Sequence, residues 1–408
     1  MASASSRSST PAFLKPTRES LSDILMTLQE REQQRRLAAQ RARLFRGTAA
    51  THAGGKAAQC DGKEEVDGSG GDWFSVAAGT QPDNVNKNRY ADIIAYDRTR
   101  IVRPREEGSP LDGSSSGYVN ASLVREPDLV LDEDTLPRQW WVAAQAPIAS
   151  TIHDFLSLLL HPPSSPSCSR ALPPIQLVVQ LTPLVEGRRS KCHPYFPDQV
   201  GDTALVQPSS SSTQERGIWI RLESKEEKDG ARESKLRLGY EGDERGRQVT
   251  HLEYLGWRDH GVPESAPHLL RFIQRVHALN RRLTTEDGVT SGSASSQRSP
   301  ILLHCSAGVG RTGTFIAISS LLPLLELEAR GPLEARPSKV DFHPLGPYPL
   351  ETILRADGRR ESSADFVGAT IDGLRDQRTT MAQTSEQVAW VYECLREAWR
   401  TGLYRSPQ

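Results

Sequence analysis

The chain lacks most of what would point to a metal, a membrane or nucleic acid. Its 408 residues hold five cysteines, at positions 60, 168, 192, 305 and 394, with no Cys-x-x-Cys and no Cys/His pairing at zinc spacing. That excludes a zinc module and a disulfide framework, and fits a reducing compartment. No run of ~18 apolar residues occurs, so no membrane span is expected. The net charge is −1, which supplies no basic field for nucleic acid. Hydrophobic residues make up 37% and aromatics 6%, and the mean hydropathy is −0.51. These values imply polar segments outside a core. No internal repeat is present, and the length suits one large domain or two ordinary ones.

What is there is organised around Ile301-Leu302-Leu303-His304-Cys305-Ser306-Ala307-Gly308-Val309-Gly310-Arg311-Thr312-Gly313. The apolar run before Cys305 reads as a buried strand, and Thr314 to Leu325 reads as a helix. A strand, a tight loop and a helix start aim successive N–H groups at one point, a cradle for a tetrahedral dianion. Cys305 opens the loop, where those N–H groups and the helix dipole favour a thiolate. Arg311, six residues on, can fold back and grip phosphate with two parallel bonds. The plain alternative is a structural cysteine beside a Gly-rich turn. The Cys-x5-Arg signature in this strand–helix context resembles the phosphotyrosine-specific, non-receptor members of the protein tyrosine phosphatase family.

Further motifs follow in that family's order. Lys87-Asn88-Arg89-Tyr90 with Asp92 resembles its phosphotyrosine-recognition loop, and Tyr118-Val119-Asn120-Ala121-Ser122 its Tyr-Ile-Asn-Ala-Ser segment. Gln145-Ala146-Pro147 stands where the family has Gln-Gly-Pro. Glu186 and Lys191 match an acid and a base at the family's separation. Trp257-Arg258-Asp259 resembles the mobile acid loop, normally Trp-Pro-Asp, and Gln377 to Gln387 the family's Gln loop.

The resemblance implies a twisted mixed β-sheet flanked by helices on both faces, an α/β fold. It implies hydrolysis of phosphotyrosine in proteins with no cofactor or metal. Cys305 would attack phosphorus, with the backbone of Ser306, Ala307, Gly308, Val309 and Gly310 and the Arg311 side chain holding the phosphate. Asp259, placed by Trp257, would protonate the leaving phenolate and later take a proton from water. Gln383 would orient that water, with Gln387 nearby, and the Thr312 hydroxyl would ease thiolate departure. Tyr90 would stack on the substrate ring and set the pocket depth, and Asp92 would accept from the substrate backbone. His304 either supports the thiolate or simply ends a strand. Glu186 either aims Arg311 or forms a solvated pair with Lys191, which otherwise would meet the closing acid loop. Arg258 in place of proline leaves a second reading, a catalytically weak relative that binds phosphotyrosine without turning it over.

The expected organisation is an N-terminal region over 1–72, a catalytic domain over 73–402 and a tail over 403–408. Surface insertions are expected near 206–216, 284–299 and 326–364. Residues 1–18, Ser/Thr/Pro-rich and free of acids, read as an unstructured tail or a targeting presequence. Ser20 reads as the N-cap of an amphipathic helix over 20–45 that stops at Gly47. The helix either packs its first two turns on the catalytic domain or offers its Arg/Gln-rich remainder to a partner or a membrane surface. Location is expected to be cytoplasmic, with the nucleus left open.

Overall fold

A computed structural model describes residues 10–16, 18–52, 73–103, 117–129, 138–209, 215–257, 261–286, 298–331, 333, 343–349, 353–354, 360–361 and 365–405. The helices are α1 (Arg18–His52), α2 (Ala77–Thr80), α3 (Pro82–Val85), α4 (Ile152–Ser157), α5 (Ala266–Glu286), α6 (Gly310–Glu328), α7 (Phe366–Gln377) and α8 (Ser385–Thr401). The strands are β1 (Ala121–Arg125), β2 (Trp140–Ala144), β3 (Leu177–Gln180), β4 (Val185–Glu186), β5 (Arg189–Ser190), β6 (Thr203–Val206), β7 (Ile218–Lys228), β8 (Ala231–Tyr240), β9 (Arg247–Tyr254), β10 (Ile301–His304), β11 (Ile353–Leu354) and β12 (Arg360–Glu361).

Among the described residues the main sheet has eight strands, in the order β1-β2-β10-β3-β9-β8-β7-β6. The middle strands β2, β10, β3 and β9 run parallel, and the outer pairs are antiparallel. Parallel strands covered on both faces read as unbroken apolar runs. Leu177-Val178-Val179 and Ile301-Leu302-Leu303 are such runs, and all six residues are buried. Leu177, Val179 and Leu303 pack against α5, α6 and α8 through Leu270, Phe315 and Leu395. Val178 and Leu302 face the other way, onto Phe155 and Leu156 of α4. The sheet is thus mixed and carries helices on both faces.

Two expectations about the N-terminal region are corrected. Phe13 and Leu14 are buried in the main core, and Phe13 meets Phe366 edge-on, so residues 10–16 are not an unstructured tail. The helix begins at Arg18 and runs through Gly47 to His52, so Ser20 lies inside its first turn. A helix already propagating absorbs one glycine for about 1 kcal/mol. At the other end Tyr404 is buried and stacks on Trp399, so the described part of the tail is packed.

The arginine-rich part of α1 is also a packing surface. Ile24 and Leu28 enter the core, each contributing about 1.5–3 kcal/mol by burial. One turn on, Arg31 Nε donates to both carboxylate oxygens of Asp372 at 2.9 Å. Arg35, with a side chain 0% exposed, donates to Asp372 Oδ1 and Asp376 Oδ1 at 2.6 Å. Part of the expected 326–364 insertion is held beneath α1 as well. Arg31 donates to the carbonyls of Leu345 and Gly346, and Tyr348 to Asp365.

The charged stretch Lys225 to Glu233, whose charge alone would suggest a turn, is mostly strand. β7 and β8 pair through it, and the reversal is confined to Asp229-Gly230. Both of those residues have positive φ, 53° and 68°, the two-residue hairpin turn that an Asp-Gly pair favours.

Candidate active site

The cradle lies at the C-terminal end of β10, where the chain crosses to α6. Gly308 has φ 71°, and a Cβ there would stand 2.0 Å from the Ala144 carbonyl oxygen. Only glycine fits so tight a passage beside β2. Cys305 is 5% exposed, and the Gly308 N–H donates to its Sγ at 3.3 Å. Neighbouring strand ends fix the loop, with Ala146 N donating to Ser306 O and Leu181 N to His304 O, each at 2.9 Å.

Arg378 completes the cradle, although sequence reasoning assigned it nothing beyond its place in the Gln loop. Its side chain is buried. Nε donates to Gly308 O at 2.8 Å and Nη2 to Ala307 O at 3.0 Å. Engaging those carbonyls turns the intervening N–H groups towards the cradle. Nη2 also donates to Asn120 Oδ1 at 2.9 Å. Burial lowers the guanidinium to about 10, and it remains charged near neutrality. Asn120 is itself buried, with its amide donating to Asn88 Oδ1 and Ile93 O. Asn120-Ala121-Ser122 fits a glycosylation sequon, but its asparagine is inaccessible in the folded chain.

Arg311 turns back over the cradle. Nη1 meets Glu186 Oε1 at 2.6 Å, and it donates to Leu181 O at 3.1 Å and Thr182 Oγ1 at 3.2 Å. Among the described residues these partners all fall on Nη1, which leaves the Nε–Nη2 edge for an anion. The Glu186 side chain is 4% exposed, and its other oxygen lies 3.6 Å from Lys191 Nζ. Glu186 therefore contacts Arg311 and Lys191 together, in a buried cluster.

His304 is fully buried. Nδ1 lies 3.1 Å from Cys305 O, which can only accept, so that bond requires the proton on Nδ1. Nε2 lies 2.9 Å from the Tyr195 hydroxyl, which also donates to Gln180 Oε1 at 3.1 Å. Burial pushes the imidazole down to about 4, so at neutral pH it is an uncharged strut and supplies no positive charge to the thiol. The Thr312 hydroxyl is buried with no partner among the described residues.

The recognition loop is clamped beside the cradle. Gln145 accepts from Arg89 N at 2.9 Å and donates to Lys87 O at 2.7 Å. Asn88 accepts from Tyr118 and Asn120. This clamping places Tyr90 Oη 2.8 Å from Ser306 Oγ. Ser306 donates onward to Lys191 O, so the tyrosine is the donor. Asp92 is exposed and lines a cleft of about 300 Å³ with Arg35 and Arg36 of α1.

Arg258, Asp259 and His260 lie outside the described residues, so the acid of the expected loop is not placed. The ends of that loop are placed. Trp257, 1% exposed, donates from Nε1 to Gly261 O at 3.1 Å. Its ring centre lies 5.9 Å from the Arg311 guanidinium carbon. Gln383 is exposed and lines a cleft of about 500 Å³ against α1, together with Glu32, Arg36 and Arg375. No described contact joins it to Cys305. Gln387 is bound in a reciprocal cap with Thr384 at the start of α8. A Cβ on Gly310 would sit 3.1 Å from its amide, so Gln387 does border the cradle.

Among the described residues, His153, Asp154 and Glu215 bring three metal-ligand types together. Arg103 Nη2 already stands 3.1 Å from Asp154 and 3.4 Å from Glu215, where a cation would lie.

A family model described as protein-tyrosine phosphatase matches residues 84–334. The chain is 32% identical over 259 residues to receptor-type tyrosine-protein phosphatase C of Mus musculus, covering 63% of this chain and 16% of that protein. It is 28% identical over 332 residues to tyrosine-protein phosphatase non-receptor type 4 of Homo sapiens, covering 81% and 27%. It is 28% identical over 318 residues to tyrosine-protein phosphatase 3 of Dictyostelium discoideum, covering 78% and 25%. The chain thus spans between 16% and 27% of the length of these three relatives.

Proposed function

This chain belongs to the protein-tyrosine phosphatase family, and from that membership we propose that it hydrolyses phosphotyrosine in proteins through a covalent phosphocysteine. The observation that carries the proposal is the convergence on one cradle of the Cys305 sulfur, the Gly308 N–H and an Arg311 guanidinium held by Glu186. A phosphate monoester dianion repels a thiolate. The cradle N–H groups and the free edge of Arg311 offset that repulsion before attack. Sulfur then displaces the phenolate, and Asp259 protonates it. Water oriented by Gln383 frees phosphate from Cys305, with Asp259 accepting its proton.

Tyr90 would set the depth of the pocket, and so the preference for phosphotyrosine over shorter phosphoserine. Its hydroxyl already marks the cradle rim at Ser306. Asp92, exposed beside it, would bind substrate backbone. A thiol nucleophile calls for a reducing compartment, and the cytoplasm meets that need. The test is turnover of a small aryl phosphate with EDTA present, by the parent chain and by Cys305→Ser. Metal-independent turnover lost in the serine variant supports the reading. Turnover retained by Cys305→Ser removes the nucleophile assignment.

A further inference from the structure

A second cavity, of about 140 Å³, opens at the opposite end of the sheet from the cradle. Arg138 and Arg298 precede the neighbouring parallel strands β2 and β10, and both line it. Arg281 enters from the last turns of α5. Cys305 follows the far end of β10, so at ~3.3 Å per residue the two sites are roughly 13 Å apart. We propose that this cavity binds a small tetrahedral oxyanion of the phosphate class, gripped by Arg138, Arg281 and Arg298.

Three observations converge on an anion. The Arg138 side chain is 4% exposed, and its Nε is used by Asp128 at 2.8 Å. Its Nη2 is buried with no acceptor among the described residues, and an unpaired buried donor is costly. Next, Arg281 and Arg298 face each other as like charges, and among the described residues neither has a carboxylate at ion-pair distance. The charge on Arg298 is disfavoured first by burial and then by Arg281, and Glu126 offsets this only in part, a net cost that an anion between the arginines would relieve.

The acids of the wall, finally, do not balance its cations: Glu126 alone is drawn to Arg138 and Arg298. Glu126 accepts from Gln139 N at 3.1 Å and Ser319 Oγ at 3.3 Å. Glu326 pairs with Arg330 at 2.8 Å. His277 is held neutral, at about 3, by burial and by the same two arginines. Three guanidinium groups offer forked donors of the kind that bind phosphate in pairs. The volume is well below the ~300 Å³ of an ordinary ligand pocket, which favours a free oxyanion over a phosphopeptide or nucleotide.

The test uses the full chain carrying Arg311→Ala, which weakens the cradle, titrated with inorganic phosphate by calorimetry at constant ionic strength. The proposal expects one remaining phosphate site, displaced by sulfate but not by chloride. Adding Arg298→Gln or Arg281→Gln should weaken it at least tenfold. Arg298→Gln alone should leave the melting temperature of the phosphate-free chain unchanged or raised, whereas a purely structural arginine would lower it. The unaltered chain gives a second measurement, with phosphate stoichiometry near two falling to one in Arg298→Gln. Absence of binding heat in the Arg311→Ala chain, or affinity unchanged by Arg298→Gln, overturns the proposal. Neither outcome bears on hydrolysis at Cys305, because no turnover is read.

Discussion

Glu32 Oε1 accepts a hydrogen bond from the Thr380 backbone N–H at 3.1 Å, and the same oxygen accepts from Thr379 Oγ1 at 2.8 Å. This joins α1 to the loop that carries Gln383. Thr380 and Ala382 hold φ of 55° and 51°, a region costly for residues other than glycine. Arg375 braces the same loop, donating to Met381 O, Ala382 O and, on α1, Leu28 O. Ala382 N in turn donates to Val309 O in the cradle at 3.2 Å.

Glu32→Ala should therefore destabilise the chain by about 1–3 kcal/mol, the cost of leaving buried donors unpaired. It should also slow hydrolysis of the phosphocysteine more than the attack of Cys305 on phosphorus. Thermal unfolding reads the first effect, and a larger pre-steady-state burst of phenol reads the second. Glu32→Gln, which keeps one acceptor, should recover most of both. Unchanged melting and burst in Glu32→Ala would show that the helix does not support the loop.

Glu186→Ala leaves the Arg311 guanidinium without its carboxylate, in a setting where such a loss costs about 3–5 kcal/mol. Loss of aim should lower kcat/KM by about 10²-fold, comparable to losing one preorganised donor. Steady-state kinetics on an aryl phosphate measure it. An unchanged kcat/KM would mean that Arg311 is held by Leu181 and Thr182 alone.

Gly308→Ala would place a methyl group against the Ala144 carbonyl at a left-handed backbone position. It should cost at least ~1–3 kcal/mol from the backbone alone and largely abolish turnover. Circular-dichroism melts and activity check this together. A stable, active alanine variant would contradict the geometry of the cradle.

Acid should destabilise the fold through its buried imidazoles. His304 and His251 are driven down to about 4 and about 3, mainly by burial. The unfolded chain binds protons at these groups below about 6.5, while the folded chain does not. Stability is therefore fully present above that pH and is lost as pH falls towards 4 and then 3. Melting temperature followed from pH 7 to 4 should fall, and His304→Gln should flatten part of the slope. A rising melting temperature over that range would reverse the sign.

The residues that can be recognised by type and spacing are those whose chemistry needs a local motif. The Cys305–Arg311 loop, Tyr90 and the central apolar strands belong to this group, because a tight loop and a doubly buried strand each write a local pattern. Glu186 was legible only as an acid at a suggestive distance, and its grip on Arg311 depends on a fold across 125 residues. Arg378 and Glu32 left no local sign of their partners. Each acts through contacts with segments far away in sequence, Arg378 with Ala307 and Gly308, Glu32 with Thr379 and Thr380. The Lys225–Glu233 hairpin is not legible locally, because charge resembles a turn when the cross-strand partner is unknown.

Asp259→Ala should lower kcat by about 10²–10⁴-fold, the usual contribution of a general acid. Arg258→Pro should raise the rate on poor leaving groups, because proline fixes φ and narrows the loop's conformations. Rate against leaving-group pKa for the three proteins separates these effects. If Asp259→Ala matches the parent throughout, the acid is idle and the phosphotyrosine-binding reading replaces hydrolysis.

The most direct measurement of the central claim is rapid acid quench of the chain during turnover of a ³²P-labelled phosphotyrosine peptide, followed by mapping of protein-bound label. The account predicts transient label on the Cys305 sulfur, absent from Cys305→Ser, which should still bind the peptide. Release of labelled phosphate with no label ever on Cys305, or label persisting in Cys305→Ser, would contradict it.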